Sequence, residues 1–337
     1  MSKEIISKNN VVETDFSLIL QQIRESKQKA YQQLNNILID LYWNIGAHIS
    51  HKVKSAGWGK SVIKNLAEFI LNTDPEIKGF SDKNLWRMKQ FYETYSENAE
   101  LKQLTAKLSW SHNLAIFSRC KSVEEKEFYL KLSIKEKYTF RELERQIDAS
   151  VYERTVIGNQ KLSTVSRVFQ DRIDGSFKDS YVLEFLNLSD RHTENHLQKA
   201  LVANMKNFIL ELGKEFLFVG EEYRVQVGNS DFFIDLLFYH RGLSALVAFE
   251  LKTVQFQPDH LGQLNFYLEA LDRDVKKEHE NPSIGILICK GKDSEVVEYA
   301  LSRSLSPAMV ADYSLKLPDK KLLQAKLHEL LESCENE

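Results

Sequence analysis

The sequence predicts a multidomain chain, an all-α N-terminal half followed by an α/β C-terminal half whose elements run α-β-β-β-α-β. Three observations predict it. Over residues 15–155 apolar positions recur at three- and four-residue steps, the repeat of amphipathic helices. Over residues 186–337 strand-length apolar segments appear between helical ones. Between them, residues 156–185 lose periodicity and gather Gly158, Asn159, Gln160, Ser163, Thr164 and Ser166, the composition of a linker.

In the front half the helical repeat is carried by Phe16, Ile19, Leu20 and Ile23, then by Leu34, Ile37, Leu38, Leu41 and Ile45. Ser81 precedes a segment whose Leu85, Met88, Tyr92 and Tyr95 fall on one face, as an N-cap should. Ser133 with Glu136, and Thr139 with Glu142, have the spacing of capping boxes. The G-W-G of Gly57–Gly59 and the D-P of Asp74-Pro75 read as loops. In the back half a helix fits 191–213, with Leu197, Leu201, Met205, Phe208 and Leu212 on one face and Gly213 at its end. Strands follow at Phe216 to Val227, Phe232 to Tyr239 and Leu243 to Lys252. Pro258 opens a helix to about Leu271, Ser283 to Cys289 is a buried strand, and Lys320 to Leu331 is a closing helix.

A chain of 337 residues suits two domains, and its 43% hydrophobic, 28% charged composition is that of a soluble globular protein. No apolar run is long enough to span a membrane, and the N-terminus lacks the apolar stretch of a secretory signal. Cys120, Cys289 and Cys334 are scattered, which suits a reducing compartment and gives no zinc-ligand spacing. The expectation is a cytoplasmic protein. The net charge of −3 is unevenly spread, with 24 Lys/Arg against 20 Asp/Glu in residues 1–160 and an acidic remainder. The front half could therefore meet phosphates, although so small an excess is also ordinary charge scatter.

The chemistry concentrates in F-F-I-D-L-L-F-Y-H-R-G-L-S-A-L-V-A-F-E-L-K (232–252). Asp235, Glu250 and Lys252 sit inside otherwise apolar strands, where charges are costly without a partner or ligand. A two-residue turn at Arg241-Gly242, with glycine supplying a positive φ, pairs Asp235 with Ala248. Glu250 is then a diagonal neighbour of Asp235 on the same face, and period 2 places Lys252 beside it. Two carboxylates without His or Cys point to Mg²⁺ or Mn²⁺, with the Leu251 carbonyl as a further oxygen ligand. Such an ion can bridge a phosphodiester and lower the pKa of bound water. Lys252 then orients or deprotonates the attacking water, or neutralises charge at phosphorus.

The D-x₁₄-E-L-K pattern, followed by Gln263-x-x-x-Tyr267, resembles the PD-(D/E)XK nuclease superfamily. G-W-G, G-F-S-x-x-N-L, W-S-H-N and Y-V-L-E-F-L extend the resemblance to bacterial YhcG-type proteins, over about residues 15–330. The resemblance implies a restriction-endonuclease-like C-terminal domain and a DNA-binding-type helical N-terminal domain. It implies Asp235, Glu250 and Lys252 as catalytic residues, with Gln263 and Tyr267 supporting. No Pro precedes Asp235, where Ile234 stands. The implied activity is metal-dependent hydrolysis of phosphodiester bonds, most naturally in DNA. The alternative is a non-catalytic nucleic-acid-binding or accessory subunit of a restriction, defence or repair complex. A homodimer is the expectation for an enzyme that cuts two strands.

Other residues stand between two readings. Glu211 is either a further carboxylate of the site or a solvated helix-end glutamate. Lys290 and Lys292 either meet phosphate or mark a charged strand exit. Lys52, Lys54, Lys60 and Lys64 surround the G-W-G loop and suit contact with a nucleic-acid backbone, or else form a solvated helix surface around a core Trp58. His112 beside Trp110 and Asn113 reads as structural. No phosphate-binding glycine loop, dinucleotide fingerprint or serine-nucleophile elbow occurs, which speaks against ATP hydrolysis, dinucleotide chemistry and serine hydrolysis.

Overall fold

The computed structural model describes residues 2–157, 177–302, 304 and 306–335. The chain divides into two compact units, Met1–Leu143 and Glu144–Glu337. Of the span 156–185 expected as a linker, 158–176 lie outside the described residues, and its end is strand and 3₁₀ turn. Among the described residues no helix is long and apolar enough to cross a membrane.

The first unit is helical: α1 (Ser2–Ala56), α2 (Lys60–Thr73), α3 (Asp82–Tyr95), α4 (Ala99–Thr105), α5 (Trp110–Arg119), α6 (Val123–Glu136) and α7 (Phe140–Asp148), the last running across the boundary. Its core gathers Tyr42, Ile49, Ile63, Leu85 and Met88. Gly46 sets the approach of α1 to α3, because a Cβ there would collide with the Met88 backbone carbonyl. Ser81 caps α3 by accepting from the Asn84 amide at 3.3 Å, and Thr139 and Glu142 form the expected reciprocal box. Two expectations fail. Ser133 and Glu136 lie in the last turn of α6, whose N-cap is Ser122. On α1 the predicted apolar stripe is only partly the buried one. Phe16, Ile19, Leu20, Ile23, Leu34, Ile37 and Leu41 are exposed, whereas Ile39, Tyr42 and Ile49, on the Gly46 side, are buried. The period locates a helix, but packing against α3 selects which face it buries.

The second unit holds α8 (Val151–Ile157), β1 (Ser180–Val182), α9 (Glu194–Ala203), α10 (Met205–Leu212), β2 (Phe216–Val227), β3 (Ser230–His240), β4 (Ala245–Leu251), α11 (His260–Ala270), β5 (Ile284–Cys289), α12 (Ser294–Leu301), β6 (Ala308–Ser314) and α13 (Lys320–Glu335). The predicted helix over 191–213 is broken at Asn204, whose φ/ψ of −112°/30° is not helical. The six-stranded sheet runs β1-β6-β5-β4-β3-β2, antiparallel over β2–β3–β4 and parallel from β4 to β1. Leu197 and Leu201 of α9 and Phe208 of α10 pack with Phe238, Phe249 and Ile286 on one face. Leu261, Leu264 and Leu268 of α11 pack with Leu237, Ala248 and Leu287 on the other. With both faces covered, every residue of β4 is buried, Glu250 included. Gly285 lets α11 sit close, since a Cβ there would lie 2.8 Å from Leu264 Cγ. The all-α and α/β halves are those the sequence predicts.

Candidate active site

The β3–β4 hairpin differs from its predicted form. Leu237, not Asp235, lies opposite Ala248, and the last ladder pair on that side is Leu236 with Phe249. Four residues, Arg241–Ser244, turn the chain between His240 and Ala245, and Ser244 rather than Gly242 takes the positive φ, at 48°. A slip of two residues preserves the face of every side chain, because the strand period is two. Continued by one step, the observed register sets Asp235 directly opposite Glu250, a closer relation than the predicted diagonal.

The ladder does not continue, and the site occupies the gap. β4 stays with β5, where Glu250 pairs with Leu287 and the Lys252 amide donates to the Ile288 carbonyl at 2.8 Å. β3 leaves. The Leu251 amide, which an unbroken ladder would turn toward residue 234, donates instead to Asp235 Oδ2 at 2.8 Å. The Asp235 carbonyl accepts from Gln198 Nε2 of α9 at 2.9 Å. On the other flank of β3, Glu222 of β2 has a left-handed φ of 43°, and the β2 register slips between Phe218 and Gly220. A non-glycine residue at positive φ marks local strain beside Asp235.

Lys252 Nζ donates to Glu250 Oε1 at 2.7 Å and stands 3.6 Å from Glu194 Oε2, in the first turn of α9. Glu250 is 1% exposed, and its Oε2 has no hydrogen-bond partner among the described residues. Burial, then the neighbouring Asp235, pushes the Glu250 carboxyl up to about 7, against the pull of Lys252. Asp235 is raised too, chiefly by burial and despite the Leu251 amide. Burial disfavours the Lys252 ammonium, but its hydrogen bond to Glu250 and the charges of Glu250, Glu194 and Asp235 together outweigh this and raise its pKa. Both acids are raised chiefly by burial, and the pull of Lys252 does not offset it. Among the described residues no three His, Cys, Asp or Glu side chains cluster as ligands. Asp235, Glu250 and the Leu251 carbonyl fit a hard divalent cation that completes its shell with water or substrate oxygens.

On α11, Gln263 Nε2 donates to the Tyr267 hydroxyl at 2.7 Å, the one-turn pairing the sequence suggests. Tyr267 is buried on the same sheet face as Leu264 and Ala248, and the charges of Glu250, Asp235 and Lys252 all act on it. Glu194 was not singled out from the sequence. A glutamate after a capping threonine is an ordinary helix start, and nothing local marks it as facing a strand lysine.

Several candidates fall elsewhere. Glu211 is neither a site carboxylate nor solvated. It is fully buried, held by Arg145 at 3.0 Å, Arg154 at 3.2 Å, Lys178 at 3.3 Å and the Val182 amide at 3.1 Å. Burial opposes its charge, but Lys178, Arg154 and Arg145 prevail and hold its carboxyl down at about 2. Lys290 donates to the Asp190 carbonyl, and Lys292 to Asp179 and the Val310 carbonyl, so both brace loops. His112 bridges Ser109 and the Tyr138 carbonyl. Of the four basic candidates in the helical unit, Lys60 and Lys64 line a cleft between α2 and α3, and Lys52 and Lys54 do not.

Residues 174–328 match the family model of the YhcG PDDEXK nuclease domain, and residues 18–154 that of the DUF1016 N-terminal domain. The chain is 28% identical to the Escherichia coli (strain K12) protein named "Putative nuclease YhcG", over 92% of this chain and 92% of that protein. Among solved structures it is similar to a repair endonuclease from Pyrococcus abyssi, at 14% identity and a TM-score of 0.26, over 39% of this chain and 50% of that one. It is also similar to the protein of an EndoMS–dsDNA2 complex, at 20% identity and a TM-score of 0.22, over 35% and 46%.

Proposed function

This chain belongs to the family that joins a DUF1016 N-terminal domain to a YhcG PDDEXK nuclease domain, and on that premise we propose that it hydrolyses phosphodiester bonds in DNA with a divalent cation. One observation carries the proposal. A buried Glu250 oxygen with no hydrogen-bond partner among the described residues lies beside a second carboxylate that burial raises, an arrangement that a bound cation would stabilise.

Asp235, Glu250 and the Leu251 carbonyl are the groups that would hold Mg²⁺ or Mn²⁺. When bound, such an ion lowers the pKa of water and stabilises charge on the phosphate oxygens. The chain's own residues do the rest. The Leu251 amide and Gln198 fix the Asp235 side chain and backbone, so its free carboxylate oxygen is set before substrate arrives. Lys252, flanked by Glu250 and Glu194, is kept as an ammonium. In that state it donates hydrogen bonds, orienting the attacking water and offsetting charge at phosphorus, and it has no lone pair to take a proton. Gln263 and Tyr267 brace the α11 side of the site. Basic residues of the N-terminal unit, Lys52, Lys54, Lys60 and Lys64 in the first instance, hold the backbone of the substrate.

The test is incubation of the full chain with single-stranded, duplex and branched DNA in Mg²⁺, Mn²⁺ or EDTA. Cleavage is expected with metal only, and Asp235→Asn and Lys252→Met should each slow it at least about a hundredfold. Cleavage at the wild-type rate in either variant removes these residues from the chemistry.

A further inference from the structure

A feature of the helical unit goes beyond the four lysines around the G-W-G loop. The start of α2 and the first half of α3 border one open cleft of about 540 Å³. Lys60 and Lys64 line it from α2, and Lys83, Trp86 and Arg87 from α3. The spacing is regular: 60 and 64 lie one turn apart, as do 83 and 87, so each wall presents two cations about 6 Å apart along its helix. Asp82 is the opposing carboxylate, leaving four cations against one acid. Lys64 also reaches Glu68 at 3.8 Å, but both side chains are well exposed and the pair is weak. Lys60, Lys83 and Arg87 have no ion-pair partner among the described residues. On α2 the lining residues Lys60, Ser61 and Lys64 belong to the N-terminal turns of the helix. Trp86 is half-buried, packs against the core of the unit, lines the cleft and has the Lys89 ammonium 5.5 Å from its ring centroid.

We infer that the α2–α3 cleft binds an unpaired nucleic-acid strand, with its phosphates on Lys60, Lys64, Lys83 and Arg87 and a base against Trp86. The inference rests on the nucleic-acid reading of the N-terminal unit given above, and it names the surface and the form of the ligand. Four cations on two facing walls match the repeat of a charged backbone rather than a single anion. The indole decides the form. A duplex offers its phosphates outward and keeps its bases stacked, so a tryptophan in the wall contributes only to a strand whose bases are free.

The test is equilibrium binding of the full chain to a fluorescent oligothymidylate and to a duplex of equal length, in EDTA across a salt series. The absence of metal keeps binding separate from cleavage. Lys83→Glu with Arg87→Glu, both on exposed positions, should weaken single-strand binding at least tenfold and flatten its salt slope by about 0.7 per lost phosphate contact. Trp86→Leu should weaken the single strand about tenfold and the duplex little. Circular-dichroism melting confirms that each variant is folded, and Trp86→Phe, which keeps a ring, should restore most of the affinity. Unchanged affinity and slope in the charge-reversal variant overturn the site, and an equal loss for duplex in Trp86→Leu overturns the unpaired-strand assignment. A cleft that fails while metal-dependent cleavage persists leaves the nuclease proposal standing. A cleft that binds while no metal supports cleavage tells against Asp235 and Glu250 alone.

Discussion

The Leu251 backbone amide donates to the Asp235 carboxylate at 2.8 Å, across the point where β3 and β4 part. A side chain thus takes a hydrogen bond that an unbroken sheet would make between backbones. The substitution opens the sheet without leaving the Leu251 amide unsatisfied, and it aims Asp235 at Glu250.

Asp235→Asn and Asp235→Ala should therefore behave differently. Asparagine keeps an acceptor for the Leu251 amide and removes a charge that burial disfavours, so its thermal stability should equal or exceed the wild type's at neutral pH. Alanine leaves that amide unpaired, at a cost of about 1–3 kcal/mol. Both should abolish cleavage. Thermal melts in EDTA check the first pair of statements and DNA cleavage the last. Equal melting temperatures for the two variants would contradict the role given to the hydrogen bond.

In metal-free protein Glu250 gives stability an unusual pH dependence. Its carboxyl is raised by burial and by Asp235 from the usual 4.5 to about 7, so the folded state binds a proton that the unfolded state has lost. The contribution is complete below about pH 4.5 and is lost as pH rises through 7, on the order of 3 kcal/mol at most. Glu250→Gln should remove this dependence and melt higher than wild type at pH 8 in EDTA. Divalent metal should reverse the order at pH 8, because only the wild type gains a ligand-stabilised state. A variant that melts lower than wild type in EDTA at pH 8 is the contrary result.

Glu211 should show the opposite sign. Its carboxyl is held at about 2 by Lys178, Arg154 and Arg145 against the cost of burial. Its contribution is present above the usual 4.5 and disappears as pH falls through 2. Glu211→Gln leaves three cations around a neutral amide, and it should destabilise the second unit by about 3–5 kcal/mol at pH 7. Chemical denaturation measures this. A loss below about 1 kcal/mol would mean that the cations find other partners.

Much of the nuclease unit was legible because its chemistry interrupts a strong pattern. Charges at Asp235, Glu250 and Lys252 break apolar strands, and Gln263 and Tyr267 recur at one helical turn. The strand Phe216–Val227 has its predicted ends, since residues 213–215 and Gly228 bound it with turns. The hairpin loop differs from the sequence expectation because Ser244, not Gly242, takes the positive φ. Leu243 is buried, its amide is held by His240 Nδ1, and Ser244 makes the turn. β1, β6 and α12 escaped notice: β1 has three residues, and the other two are short and weakly patterned. Glu194, not Glu211, is the helix carboxylate beside Lys252, for a reason no local pattern reveals. Which end of a helical segment faces the sheet's open gap depends on the break at Asn204 and on the parting of β3 from β4. On α1 the exposed residues have the same period as the buried ones, so periodicity alone could not select the packed face.

The central claim is that Asp235 and Glu250 share one divalent cation. Anomalous diffraction at the manganese edge, from crystals of the full chain grown with Mn²⁺, tests it most directly. The predicted result is a peak bounded by both carboxylates and the Leu251 carbonyl, absent in Asp235→Asn with Glu250→Gln. A map without that peak in the wild type, with Glu250 still bonded to Lys252 alone, would contradict the account.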